Sequence, residues 1–305
     1  MILLVGGTDG GDGAVLLHNA RRLGASRIRV PVVVAGNAEV RDEAAAVLTG
    51  RGVPVTVAGN VLPKIGVLDP GPARSAIRQV FLRHVIGGKR LSRGPRFASL
   101  VRSATPDAVL AAVELLADTT GAGVLVVDVG GATTDVYSAL VPDAETEWGP
   151  GRDVAGTLWR SRTVEGDLGV GVGAPGVVAA AGSERLDAPD ISGGRPYDLR
   201  TDRRLASVAA MIALRRHARG HSPGPGEPRT GRRDLRDVRL VVGSGGVLRH
   251  GGGAEVLAAV LGDTAGGWAA PTTARQKIDS DYVLAAAGLL AADYPHTAVG
   301  LLNGL

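Results

Sequence analysis

The sequence predicts an α/β protein, because short runs of branched apolar residues alternate with longer segments of helical periodicity. Three such runs, Ile2–Val5, Pro31–Ala35 and Val53–Val57, are each followed by a helical pattern, as in βαβ units. Two further runs, Val124–Asp128 and Val136–Val141, are separated only by a turn that contains two glycines. A parallel sheet followed by a β-hairpin is therefore expected.

The helices are placed by their apolar faces. Leu16, Ala20 and Leu23 share one face of the first helix, and Gly24 stands where a C-terminal cap belongs. Asn37 is expected to cap the second helix, which Gly50 ends. Further faces are Ala73, Ile77, Val80, Phe81 and His84; Val109, Val113 and Leu116; Leu205, Val208, Ala209 and Ile212; and Val283, Leu284, Ala287 and Leu290.

The remaining strands and loops complete the predicted order. Strands are expected at Arg160–Val164 and Arg239–Val242, and the last helix near Ser280. Residues 182–200 and 218–237 are rich in Gly, Pro, Asp and Arg, and we expect irregular loops there, the second of them mobile.

Composition bounds the class of protein further. The 305 residues are 45% apolar, contain no cysteine and carry a formal net charge of +4. The absence of cysteine excludes disulfides and thiolate metal sites. No apolar run reaches the roughly 18 residues of a membrane span, so we expect a cytoplasmic protein without a membrane partner. Lysine occurs only three times, and the arginine-rich composition is typical of GC-rich coding, so no nucleic-acid partner is expected.

The strongest polar constellation is the segment 128–135, which reads Asp-Val-Gly-Gly-Ala-Thr-Thr-Asp. A buried strand delivers the Asp128 carboxylate to its carboxyl end, where it suits a hydrated Mg²⁺. The glycines let backbone N–H groups approach a ligand, and hydroxyls suit phosphate oxygens. The candidate phosphate contacts are Gly130, Gly131, Thr133 and Thr134. The alternative is a tight hairpin whose glycines only turn the chain.

A second glycine-rich segment, 241–248, reads Val-Val-Gly-Ser-Gly-Gly-Val-Leu. A strand that opens through glycines into a helix offers backbone donors and room for a base or ribose. The candidate nucleotide contacts are Gly243, Gly245 and Gly246. An ordinary turn between strand and helix is the alternative, because such turns are common.

Together the two motifs resemble the second half of the ATP site of the actin/Hsp70/sugar-kinase superfamily. From Leu3 to Tyr294 the sequence resembles more specifically the MutL accessory proteins of adenosylcobalamin-dependent glutamate (methylaspartate) mutase, which are unrelated to the mismatch-repair protein of that name. The resemblance rests on Leu-Leu-Val-Gly-Gly-Thr-Asp-Gly-Gly at 3–11, Pro-Val-Val-Val-Ala-Gly-Asn at 31–37, Asn-Val-Leu-Pro at 60–63, Val-Val-Asp-Val-Gly-Gly-Ala-Thr-Thr-Asp-Val-Tyr-Ser at 126–138 and Thr-Val-Glu-Gly-Asp-Leu-Gly at 163–169.

The resemblance implies a chaperone-like reactivating factor that uses ATP binding to release damaged cobalamin from a mutase. It implies an actin-like ATPase fold, with the remainder of the first domain in 1–120 and the second domain in 121–305. Asp128 would be the catalytic residue and hold Mg²⁺ through water. The glycines and threonines of its hairpin would contact phosphate, and Gly243, Gly245 and Gly246 would face the adenosine. The resemblance gives no firm role to Thr8, Asp9, Glu165 or Asp167.

The sequence departs from the superfamily in one respect. An N-terminal Asp-x-Gly-Ser/Thr hairpin, the second jaw of such ATP sites, does not precede Asp128. We therefore expect a truncated form of the fold, with weak ATP binding and at most weak ATPase activity, because phosphoryl transfer depends on positioning. An uncovered sheet edge near the amino terminus is also expected, and with it self-association.

Other functions stay open at this point. A small-molecule kinase or a hydantoinase-type ATPase could use the same fold, with Asp135 as a candidate general base. A third alternative is a non-catalytic interaction protein that has lost nucleotide binding. Asp9 and Asp12 are interpreted as turn or helix-cap residues. His84 is interpreted as a residue at the edge of the core and the other five histidines as surface residues, although the spacing of His217 and His221 would also suit a metal.

Overall fold

The computed structural model describes residues 1–26, 28–86, 102–141, 159–193, 198–221 and 229–305. These residues form two compact units, the first within Met1–Ala104 and the second within Thr105–Asp143 and Trp159–Leu305. Each unit combines a β-sheet with helices, so the predicted α/β class is confirmed. In the part of the chain that the structure describes, no helix is both long and apolar enough to cross a membrane.

The first unit is a run of βαβ units, as predicted. Its three strands are all parallel, in the order β1-β2-β3, and β2 has both faces buried. Among the described residues β1 pairs only with β2. The elements are β1 (Ile2–Leu4), α1 (Ala14–Ala25), β2 (Val32–Val34), α2 (Arg41–Thr49), β3 (Val55–Val57) and α3 (Gly71–Phe81), which continues as a π-helical turn at Leu82–Ile86.

Two of the predicted caps in the first unit are wrong. Helix α1 runs past Gly24, which is buried because the side chain of Arg51 lies against it, 3.2 Å from where a Cβ would stand. Val40, not Asn37, occupies the N-cap position of α2. The Oδ1 of Asn37 accepts the N–H of Glu39 in the turn before the helix, and its Nδ2 donates to Gly11 O. Gly50 does cap the end of α2, as predicted.

The second unit contains a mixed five-stranded sheet in the order β6-β5-β4-β7-β8. Strands β4, β7 and β8 are parallel, whereas β4, β5 and β6 form an antiparallel meander. The predicted hairpin is confirmed, with Asp128 paired opposite Asp135. The strands are β4 (Gly123–Val129), β5 (Thr134–Ala139), β6 (Arg160–Glu165), β7 (Val238–Ser244) and β8 (Arg275–Ile278).

Helices cover both faces of this sheet, because alternate residues of β4 point to opposite sides. The helices are α4 (Thr105–Thr120), α5 (Ala174–Glu184), α6 (Leu199–Arg219), α7 (Gly253–Leu261), α8 (Val283–Leu290) and α9 (Pro295–Leu302), with a π-helical turn at Leu248–Gly252 before α7. Leu125, Val127 and Val129 pack in one core with α5, α6 and α7, and Val124 and Val126 pack in the other with α4, α8 and α9.

Three predictions for the second unit need correction or fall outside the described residues. The last helix is α9, not the helix near Ser280, and β8 was missed because Arg-Gln-Lys-Ile lacks an apolar run. The predicted loop at 182–200 is shorter, since α5 extends to Glu184 and α6 begins at Leu199. The core of the loop predicted at 218–237, residues 222–228, lies outside the described residues.

Candidate functional site

Asp128 stands at the carboxyl end of β4, at the centre of a small group of acidic residues. Asp135 lies directly opposite on β5, and Ser244 lies beside it on β7. The pKa of Asp128 is raised, chiefly because burial penalises its charged form and then because Asp135 repels it; a hydrogen bond with Ser244 works in the opposite direction. A carboxylate in this state gains from any cation that approaches it.

The carboxylate of Asp135 is already paired. Both Nε and Nη2 of Arg162 bond its Oδ1, at 2.8 Å and 2.6 Å, and the Thr133 hydroxyl lies 3.4 Å from its Oδ2. The charge of Asp135 is therefore largely offset within the second unit. This ion pair gives Asp135 a structural explanation and weakens its candidacy as a general base.

Asp279 is a third carboxylate near this site that sequence reasoning missed. It follows β8 directly, is 2% exposed, and adds a smaller repulsion to Asp128. Its two oxygens accept the backbone N–H groups of Val283 (2.8 Å) and Leu284 (3.3 Å) at the start of α8. The signal that could have found it was an Asp ahead of an apolar helical run.

The described residues contain no group of three His, Cys, Asp or Glu side chains arranged to hold a metal ion. A direct all-protein metal cage is therefore not present in that part of the chain. Mg²⁺ commonly keeps several waters and needs only one or two carboxylates. Asp128 is the residue of this site whose chemistry fits that requirement.

The turn of the hairpin is held by backbone contacts with the loop 166–173. The carbonyls of Gly130 and Gly131 accept N–H groups from Val170 (3.0 Å) and Gly171 (2.7 Å). A Cβ on Gly173 would stand 2.4 Å from the carbonyl oxygen of Ala132, so the two backbones touch. The glycines of 169–173 are therefore required by close approach.

The two threonines of the hairpin have different surroundings. Thr134 is fully buried, and its hydroxyl donates to the carbonyl of Leu168 at 2.7 Å. Thr133 is only partly buried and makes the long contact with Asp135 described above. Gly131, on the other side of the turn, faces open space. Of the predicted phosphate contacts, Gly131 and Thr133 are open to a ligand, whereas the Thr134 hydroxyl is engaged.

The second glycine motif meets the first at the end of β7. Gly245 has a φ of +102° and packs on Val129, whose carbonyl oxygen is 2.1 Å from where a Cβ would stand. Gly246 faces open space. Gly243 lies within β7, and the position of its Cβ is filled by Leu248 and Ile278. The structure thus brings Gly245 and Gly246 beside the hairpin and directs Gly243 into the apolar core.

The polar residues of the first unit tie its loops together. Oδ1 of Asp9 accepts from Ala38 N (2.8 Å) and Asn60 Nδ2 (2.9 Å), and the hydrogen bond from Asn60 is the main reason that the pKa of Asp9 is lowered. Oδ1 of Asp12 accepts the N–H of Ala14 (2.8 Å), a turn contact two residues on, while Gly13 occupies the N-cap position of α1. Asn60, which sequence reasoning gave no role, is 5% exposed.

The interpretation of His217 as a surface residue is wrong. Its side chain is fully buried, with Nε2 2.9 Å from the Ser138 hydroxyl and Nδ1 2.9 Å from the Thr163 hydroxyl. Both ring nitrogens are therefore occupied, and a metal site with His221 is contradicted. Burial, with a smaller contribution from Arg233, lowers the pKa of His217 well below 6.5.

Glu165, also without a predicted role, pairs with Arg216.

These features define an α/β protein in which a carboxylate-bearing hairpin and a glycine-rich strand end meet at one edge of a sheet. The family model described as "MutL protein" matches residues 1–304. The protein described as "Protein MutL" of Clostridium tetanomorphum is 36% identical, and the alignment covers 99% of this chain and 72% of that protein. The chain belongs to the MutL protein family, which confirms the resemblance found in its motifs. This membership supports a glutamate mutase accessory role.

Proposed function

We propose that the chain is an ATP-dependent, chaperone-like accessory protein that reactivates a cobalamin-dependent mutase such as glutamate mutase. The observation that carries the proposal is the meeting of Asp128, the hairpin turn and the Gly245–Gly246 turn at one sheet edge. The carboxylate suits a hydrated Mg²⁺, and the open backbone of the two glycine turns suits the phosphates and adenosine of a nucleotide. The proposal includes an actin-like fold and association with mutase subunits.

Each residue has a defined part in this proposal. Asp128 would hold Mg²⁺ through water, and Gly131 and Thr133 would contact phosphate. The N–H of Gly130 already donates to Thr133 O within the turn, so Gly130 would only shape it. The bound ion would neutralise phosphate charge, and the chain's own residues would only bind and orient the nucleotide. The role of Thr134 is to fix the hairpin on Leu168, since its hydroxyl donates there. Gly245 and Gly246 would face the adenosine, and Gly243 would shape the strand behind them.

The test is calorimetric titration of Mg-ATP into the protein and an Asp128→Asn variant, with Asp237→Asn, an exposed residue, as the control. We expect binding that the Asp128 variant loses and the control keeps. The Asp128 variant should melt no lower than the parent protein, because it removes a buried charge that Asp135 repels. Absence of ATP binding in all three proteins would contradict the nucleotide site.

Association with a mutase is tested separately, by co-purification of the chain with the subunits of glutamate mutase in the presence and absence of Mg-ATP. We expect complex formation that responds to the nucleotide. Complex formation without any response, together with no ATP binding, would favour the alternative of a non-catalytic interaction protein. One observation favours that alternative: the Thr134 hydroxyl and the turn carbonyls are already used inside the fold.

A further inference from the structure

A cleft of about 660 Å³ lies in the second unit between the end of β6 and the end of α6. Its lining includes Thr163 and Arg233, and His221 and Thr230, which form an isolated β-bridge, also line it. A volume of this size is typical of sites for small molecules. The cleft is lined by four arginines but only two carboxylates: Arg216, Arg219, Arg229, Arg233, Glu165 and Glu184.

The two carboxylates are already committed to two of the arginines. Glu165 pairs with Arg216, and Glu184 pairs with Arg219. In the described ranges, no carboxylate lies within ion-pair distance of Arg229 or Arg233. Two positive charges in the cleft therefore lack a partner of opposite charge there.

Arg233 is held rigidly by neutral groups. Its Nε donates to the Ser161 hydroxyl (2.6 Å) and its Nη1 to the carbonyls of His217 (2.7 Å) and Gly231 (3.1 Å). Burial lowers the pKa of Arg233, and its charge contributes to the low pKa of His217. A partly buried guanidinium without a counter-charge is costly, and an anion would offset that cost.

The end of α6 would ordinarily repel an anion, because its last carbonyls carry partial negative charge. Here these carbonyls are already bonded. Gly220 O accepts from Nη1 of Arg229 (3.1 Å), and Ala218 O accepts the backbone N–H of Arg233 (2.9 Å). The two arginines thus cover the negative end of the helix and remain available to a ligand on their other nitrogens.

We propose that this cleft binds a small oxyanion, a carboxylate or a phosphate, through the guanidinium groups of Arg229 and Arg233. The Nε and Nη2 groups of Arg229 match the two oxygens of either group, and Arg233 adds its remaining Nη2. The site is independent of the nucleotide site at Asp128. It gives the protein a second ligand, so that a small anionic metabolite could bind to the same unit as the nucleotide.

The test uses inorganic phosphate and malonate as probes, titrated calorimetrically at constant ionic strength into the parent protein and single variants. Arg229→Gln removes one unpaired charge, and Arg232→Gln is the matched control, an exposed neighbour outside the cleft. We expect saturable binding of at least one probe, weakened about tenfold or more by Arg229→Gln and unchanged by Arg232→Gln. The better probe identifies the oxyanion.

Two further controls make the result decisive. Arg233→Lys keeps the charge but loses the guanidinium nitrogens that bond Ser161 and His217 O and that face the ligand, and we expect weaker binding without loss of the fold, checked by circular dichroism. The titrations are repeated in EDTA, which leaves no Mg²⁺ for the site at Asp128, and unchanged phosphate binding there separates this cleft from the nucleotide site. The proposal is overturned if neither probe saturates, if Arg229→Gln binds like the parent protein, or if Arg232→Gln weakens binding equally.

Discussion

The two sheets secure the loops at their carboxyl ends in different ways. In the first unit side-chain amides do so: Asn60 donates to Gly7 O (3.0 Å) and to Asp9, and Asn37 donates to Gly11 O (2.9 Å). In the second unit the hairpin turn and the loop 166–173 are joined mainly through backbone groups, with glycines at the close contacts and one side-chain hydrogen bond, from Thr134 to Leu168 O.

This difference decides at which sheet the carboxyl ends of the strands can bind a ligand. At the first edge the polar side chains are used to hold the loops, so Asp9 already accepts two hydrogen bonds. At the strand ends of the second sheet Asp279 holds the start of α8, but the hairpin turn needs no carboxylate, and Asp128 has no ion-pair partner among the described residues. A chain that holds its loops through backbone contacts keeps its acidic side chain available for chemistry.

The largest expected effect comes from breaking the backbone contact in the second unit. Gly173→Ala would place a Cβ 2.4 Å from Ala132 O and from Gly169 N, neither of which can move independently. We expect a loss of about 2–4 kcal/mol in the free energy of unfolding. Gly166→Ala, in the same loop with nothing within 4 Å of its Cβ, is the control. Urea denaturation measures both, and equal stability of the two variants would refute the close contact.

The next effect tests the side-chain ties of the first unit. Asn60→Ala removes the donor to Gly7 O and Asp9 and the acceptor for Leu62 N, all at a residue that is 5% exposed. We expect a loss of about 2–3 kcal/mol. Hydrogen exchange should locate the loss in the first unit, while Asn303→Ala, at an exposed position, should change little. An unchanged first unit in Asn60→Ala would mean that the amide does not hold the loops.

Sequence reasoning succeeded where one local pattern sufficed. Apolar alternation placed β4 and β5, and the Gly-Gly between them gave the hairpin. It failed where a partner distant in sequence decides the outcome. Gly24 resembles a cap, but packing against Arg51 lets α1 continue; His217 resembles a surface residue, but Ser138 and Thr163 supply its hydrogen bonds.

The candidate site shows the same limit. The carboxylate of Asp128 and the turn that follows it could be predicted, because strand and glycines are contiguous. The engagement of Thr134 by Leu168, and the burial of Gly243 against Ile278, depend on residues 34 or more positions away. Such contacts leave no periodic pattern in the sequence. The sequence therefore could not show which threonine or glycine of a motif is buried and which is open to a ligand.

A third prediction concerns the pH dependence of stability. Acid should lower the free energy of unfolding of the second unit because of His217. Its pKa in the folded protein is well below 6.5, so the unfolded chain binds the proton first. The stability contributed by neutral His217 is full above pH 6.5 and decreases as the pH falls below it, by up to about 1.4 kcal/mol per pH unit. Arg233 faces the ring, and its charge opposes protonation.

The measurement is the free energy of unfolding between pH 7.5 and pH 5 for the parent protein and His217→Gln, whose amide can still bond Ser138 and Thr163. The raised pKa of Asp128 acts with the opposite sign, since the folded state there holds its proton longer, so the difference between the two proteins isolates His217. The same pH slope in both would contradict a neutral buried imidazole.

The smallest effect separates the two threonines of the hairpin. Thr134→Val removes a buried hydroxyl that donates to Leu168 O at 2.7 Å, and we expect a loss of about 1–1.5 kcal/mol. Thr133→Val removes only a 3.4 Å contact at a partly buried position and should cost about 0.5 kcal/mol or less. If the hairpin binds nucleotide, Thr133→Val should lower the affinity for Mg-ATP more than Thr134→Val does, because the Thr133 hydroxyl is the one left for phosphate. Thermal melts measure the loss of stability in both variants, and Mg-ATP titration measures their loss of affinity. If Thr134→Val also lowers the affinity more than Thr133→Val does, the hairpin serves the fold alone.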